Sequence, residues 1–227
     1  MLGHIINVLL HRKYIKENSS VLYSTLNKSM YKLFKKNGEG LYYSICQAEE
    51  EGSSHLIGKF CNGLAHTICI LYSKNLKSWF THSQWNKIKI RWIRFYGSLE
   101  GLDNCKTLVI GSADAIGINY CDYSHFQDRP CVMRKVPNEL YSKDLQQQVA
   151  QWFIEEPYSA IYDFVGIFGN IISNKLIDKK AYYCCRMVYQ GFKSMNIYIA
   201  DHNDPKPNHI HEYNKDWIIF NTLTVLG

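Results

Sequence analysis

The sequence predicts an α+β domain, an antiparallel sheet packed by helices on one side. Three observations lead there. Helical spacing runs through the first 38 residues and again after residue 139, while short apolar, β-branched runs fill the middle. Aromatic residues make up 14% of the chain, with 17 tyrosines, which suits a packed sheet. Hydrophobic residues make up 46% of 227, enough for one sizeable core, and no internal repeat or low-complexity linker interrupts them.

The elements follow in order. Leu9, Tyr14, Val21, Leu22, Leu26, Met30, Tyr31 and Leu33 recur at roughly helical spacing. The basic run after them ends at Gly38 and Gly40, a helix stop and a turn. Residues 1–38 therefore read as a helical N-terminal extension or lid, and residues 39–227 as the main domain. LYYSICQ is a short strand, and SHLIGKFCNG is a short helix closed by Gly63. AHTICILYS has the alternation and β-branching of a strand. In WNKIKIRWIRFYG, Ile88, Ile90 and Trp92 alternate with Lys87, Lys89 and Arg91, which predicts a half-exposed strand with a basic outer face. CKTLVIGSADAIGINYCDY supplies two more strands and PCVMRKV another. Residues 139–155 form an amphipathic helix closed by Pro157. IYDFVGIFGNII and KKAYYCCRMVYQGFKSM are helical, and DHNDPKPNHIHEY is a turn-rich loop before an apolar tail.

Composition narrows the chemistry. The formal charge of +6 speaks mainly to solubility. The interleaved KIKIRWIRF segment reads as a solvated face, so nucleic acid is not an expected partner. Eight cysteines contain no CxxC spacing, which argues against a structural zinc site, and several lie in apolar runs where a reduced thiol is ordinary. His209 and His211, with His202 and Asp204 nearby, read as a polar loop, so no metal is expected. GSADAIG lacks the lysine of a phosphate loop, and no cofactor is expected. The first apolar stretch is too short to span a bilayer and lacks a basic leader and a cleavage site. The expected location is cytoplasmic or virion-associated, with no membrane span.

Two residues stand out for reactivity. Cys184 stands near the start of a helix, where the helix dipole lowers a thiol pKa. A thiol on that apolar face also fits a small core residue. Cys185 points about 100° away by helical geometry. His66 ends a loop and opens the strand ICILY, from where it can reach a neighbouring helix start.

The segment SSHLIGKFCNGLAHTICILY resembles the early motif of the permuted NlpC-type papain-like families, in which a strand carries the catalytic His. LVIGSADAIGINYCDYSHF resembles their next motif, a strand ending in an acidic residue. PCVMRKV, IEEPYSAIYDFVGIFG and YYCCRMVYQGF resemble the later ones, in the family's order, over roughly residues 41–225. The resemblance implies a circularly permuted papain-like fold. It implies His66 as general base and Cys184 as nucleophile, attacking an amide or ester through a thioester. Backbone N–H groups at the helix start, that of Cys184 included, would hold the oxyanion. The substrate classes implied are cell-wall peptides or glycopeptides and acylated lipids.

The sequence departs from the family's pattern at three positions. The acidic residue that orients the His falls at Gly111. Ser112 or Asp114 can substitute, with Asp114 the better chemical match because a carboxylate fixes the imidazole tautomer. The family's Ser-Glu after the nucleophile is here Cys185 and Arg186, and Arg186 can hold a thiolate or an anionic substrate. A catalytically degenerate structural or interaction protein on the same fold, such as a phage or virion component, stays open as the alternative. The N-terminal helices then offer a surface to a protein partner.

Overall fold

Two consecutive tyrosines show how the sheet is covered. Side chains alternate faces along a strand, so Tyr42 and Tyr43 point to opposite sides. The Tyr42 ring meets Phe34 edge-on at 5.0 Å, and the Tyr43 ring meets Phe192 at 5.6 Å. Both faces are therefore packed. The strand that carries them is buried along nearly its whole length.

The computed structural model describes residues 28–48, 58–59, 61–114, 117–140, 143–155 and 183–223. The elements are α1 (Lys28–Asn37), β1 (Gly40–Gln47), β2 (Leu64–Tyr72), α2 (His82–Tyr96), β3 (Thr107–Asp114), β4 (Gly117–Asp122) and β5 (Cys131–Lys135). After them come α3 (Lys143–Ile154), α4 (Cys184–Ser194), α5 (Pro207–Glu212) and β6 (Ile218–Asn221). The six strands form one antiparallel sheet in the order β4-β3-β2-β1-β5-β6. The α+β class is what the alternation of strand and helix patterns requires.

On one face, α4 lies over β2 and β3, and α3 packs against α4 and β3. Tyr120 of β4 donates its hydroxyl to the Phe153 carbonyl of α3 at 2.7 Å. Gly191 allows this seating. A Cβ there would fall 2.4 Å from Cζ of Phe153 and 2.8 Å from Cε3 of Trp152. The opposite face takes Phe34 of α1, whose ring touches Tyr42, Tyr72 and Tyr123. Each such aromatic pair adds about 0.5–1.5 kcal/mol beyond burial of its area. Packing on one side only is thus a partial description. Met30 and Phe34 bring the described end of the 1–38 segment into the same core as the sheet.

One expected strand is a helix. Residues 82–96 form α2, with Trp85, Ile88, Trp92, Phe95 and Tyr96 buried at helical spacing. Thr81 accepts from the Gln84 N–H while the Gln84 side chain accepts from the Thr81 N–H, a capping box. Gly97, at φ 82°, closes the helix in the left-handed conformation. Arg91 does not belong to a solvated basic face. It is buried and donates to the Ile118 carbonyl at 3.1 Å. Ile90, expected on the apolar side, is 58% exposed.

The expected loop around His209 contains the short helix α5. Residues two apart on a helix diverge, so His209 and His211 do not share a face. Among the described residues there is no cluster of His, Cys, Asp and Glu arranged to hold a metal. No helix among them is long and apolar enough to cross a membrane. The helix expected over IYDFVGIFGNII and half of the one expected over SHLIGKFCNG lie outside the described residues.

Candidate active site

The site is built where β2 begins. A turn delivers the chain to it. Asn62 and Gly63 adopt left-handed φ of 53° and 78°. Gly63 donates to the Gly58 carbonyl at 2.8 Å, and Leu64 to that of Cys61 at 3.0 Å. The register then slips: Cys46 opposes His66, but Gln47 opposes Leu64, leaving Ala65 as the extra residue. Such a bulge re-aims side chains and frees backbone groups from the ladder.

Helix α4 arrives over this bulge with Cys184 as its first residue. Tyr183 precedes it in an extended conformation and gives no side-chain cap to the start of the helix. The Cys184 sulfur lies over three consecutive residues of β2. Its thiol donates to the Ala65 carbonyl at 3.5 Å, and the His66 side chain and the Thr67 backbone N–H lie near enough to favour its anion.

Cys184 is only 3% exposed, yet its surroundings are polar. His66 is half-buried. The Cys184 thiol is held well below the ordinary cysteine value. The largest cause is the hydrogen bond from the Cys185 thiol, whose sulfur is 3.8 Å away. His66 and the Thr67 amide add to it, against the opposing cost of burial. A helix start favours the same anion. Cys185 moves the other way. Burial raises it, and so does the neighbouring Cys184 charge, although Thr67 Oγ1 lies 3.1 Å from its sulfur. A third thiol, Cys61, is pushed up to about 11 mainly by burial.

The structure thus brings Cys184 and His66 together. Arg186 is buried and its guanidinium forms an ion pair with Asp204 at 3.0 Å. That carboxylate already balances the charge expected to serve an anion. Gly111 falls at a register shift between Ile110 and Ser112 in the β3–β4 pair. Ser112 opposes Asn119, and Asp114 opposes Gly117 at the hairpin end. The β2–β3 pairing runs from Ile70 to Tyr72 and stops short of His66. The side chains of Ser112 and Asp114 lie outside the described residues.

Ala65, Thr67, Cys61 and Cys185 complete the thiol's surroundings, and sequence reasoning did not single them out for this. Thr67 and Ala65 act through backbone groups that carry no residue signature. The nearest signal was Gly63, read as the stop of a short helix just before His66.

No family model matches the chain, and no curated protein matches its sequence.

Proposed function

We propose that this protein is a papain-like thiol hydrolase that cleaves an amide or ester bond with Cys184 as nucleophile and His66 as general base. One observation carries the reading: a sulfur at a helix start, seated on β2 at Ala65, with an imidazole close enough to favour its anion. That pairing is the recurring signature of an activated nucleophile.

The chemistry runs in two steps. The Cys184 thiolate attacks the acyl carbon, and the carbonyl oxygen takes up the charge. The backbone N–H of Cys184 at the start of α4 is the donor this reading assigns to that oxyanion. Protonated His66 gives its proton to the leaving amine or alkoxide, which departs and leaves a thioester on Cys184. Neutral His66 then takes a proton from water, which attacks the thioester and releases the acid. Peptide, glycopeptide and acyl-lipid substrates all contain the bond this sequence of steps needs.

A second reading is favoured by the 3% exposure of Cys184. A structural or interaction protein on the same scaffold keeps the pair without using it. Alkylation separates the two. Iodoacetamide is applied between pH 5 and 9, and each cysteine is followed by peptide mass spectrometry. A hydrolase gives fast alkylation of Cys184 that persists at pH 6 and slows in His66→Ala, with burst release from a chromogenic ester. Alkylation of Cys184 no faster than that of Cys121, with no burst, overturns the enzyme reading.

A further inference from the structure

On the far side of β1 from β2, a second pair of thiols is set face to face. Cys46 of β1 and Cys131 of β5 are directly opposed in the antiparallel register. The backbone groups of Cys131 are turned away from β1: its N–H donates to Thr222 Oγ1 at 3.0 Å, and its carbonyl accepts from the Thr222 N–H at 2.9 Å. On the β1 side, the next hydrogen bond runs from the Gln47 N–H to the Pro130 carbonyl. Cys46 and Cys131 are therefore a non-hydrogen-bonded pair, the arrangement in which opposed Cα atoms come closest, about 4.5 Å. That separation lies inside the range a disulfide spans.

The two thiols face one another on the same side of the sheet and share polar company. Tyr123 Oη is 3.7 Å from the Cys131 sulfur and Ser44 Oγ is 3.8 Å from that of Cys46. The pair is electrically asymmetric. Cys131 is lowered to about 6, first by the Cys46 thiol and then by the hydroxyls of Ser44, Tyr123 and Thr222. Cys46 is raised by the Cys131 thiol and by burial. All eight cysteines are free thiols. Cys46 also opposes His66 across the β1–β2 ladder, so the pair borders the strand segment that carries the imidazole.

We propose that Cys46 and Cys131 are an oxidation site, a buried dithiol that closes into a cross-strand disulfide when a hydroperoxide reaches it. The site stands on the strand register and is independent of the hydrolase reading. The Cys131 thiolate attacks the distal oxygen of the peroxide. The O–O bond breaks, giving a sulfenic acid on Cys131 and water, or an alcohol from an organic hydroperoxide. The Cys46 sulfur then attacks the sulfenic sulfur, the S–S bond forms and water leaves. The two thiols lose two electrons, and the peroxide takes them up.

The test uses the full chain with hydrogen peroxide, followed by intact mass measurement and non-reducing peptide mapping. The expected product is 2 Da lighter and yields a linked peptide joining Cys46 to Cys131. Dithiothreitol reverses it. Cys46→Ser and Cys131→Ser each abolish the link, and Cys46→Ser leaves a sulfenic acid on Cys131 that dimedone traps. Because the wild-type map reads the link directly, poor folding of either variant leaves the test intact. Oxidation confined to Cys61, Cys184 or Cys185, an unchanged intact mass, or a 46–131 link found only in urea-unfolded protein overturns the proposal.

Discussion

Two pairs of thiols are set together in the molecule, and they differ in what surrounds them. Cys184 and Cys185 are neighbours in the chain at the start of α4, beside His66. Cys46 and Cys131 are far apart in the chain and meet across two strands, beside Ser44 and Tyr123. In each pair one sulfur is lowered and its partner raised. An acidified thiol is therefore not enough to make a hydrolytic nucleophile. The first pair has an imidazole beside it and a helix start facing the sulfur. The second has hydroxyls that stabilise the anion by donating to it but do not take up or release a proton in the working pH range.

The sharpest way to break this contrast is to remove the two acidified sulfurs in turn. Cys184→Ala is expected to abolish ester turnover, a loss of at least about 10³-fold. Cys131→Ser is expected to leave turnover within about twofold, since it touches no reacting atom. Equal losses measured by initial rates in folded protein would erase the distinction.

His66→Ala comes next. Loss of a general base is expected to cost roughly 10²–10⁴-fold. The pH at which Cys184 becomes reactive to iodoacetamide should rise in the same variant, because a cause of its lowered value is gone. The profile of Cys131 should not move.

The seating of α4 gives a third test. Gly191→Ala pushes a methyl into Phe153 and Trp152, and overpacking of this kind costs about 1–3 kcal/mol. Urea unfolding should report that loss, together with slower Cys184 alkylation as the helix start shifts over β2.

Alkaline pH tests the raised thiols as a group. Cys46, Cys61, Cys69, Cys105 and Cys185 are all raised, with burial among the causes of each. A thiol raised on folding adds stability below its unfolded value of about 8.5. That stability disappears as pH climbs through the folded value, about 11 for Cys61. The unfolding free energy from urea titration should therefore fall above pH 8.5, by up to about 1.4 kcal/mol per pH unit for each such thiol. Cys184 and Cys131 oppose this trend. Being lowered, they add stability above about pH 8.5 and lose it as pH falls through their folded values.

The smallest effect belongs to Cys185→Ala. It removes the largest cause lowering Cys184, but one neutral hydrogen bond is worth only about 1 kcal/mol. Alkylation of Cys184 at pH 6 should slow by about tenfold or less. A larger loss would make Cys185 part of the reacting machinery.

Some of this was legible in the residues. AHTICILY announced β2 with His66 near its start, and YYCCRMVYQGF announced α4 with Cys184 at its head, because local periodicity reports local structure. Six residues of KIKIRW alternate as a strand would, and that pattern concealed α2. The signals that decide it, Thr81 with Gln84 and Gly97, sit at the ends of the segment. Capping groups settle a helix when a short apolar pattern fits both periods. Arg186 read as an anion ligand because its partner Asp204 lies well down the chain.

The residues by themselves determined the α+β class, both candidate reactive groups and the strand and helix that carry them, since each is a property of a short window. Tertiary structure alone decided that Ala65 bulges, that the Thr67 amide and the His66 ring meet the Cys184 sulfur, and that Cys46 faces Cys131. These are long-range meetings set by register and packing. A one-residue slip along β2 or β5 would undo them without altering any local pattern.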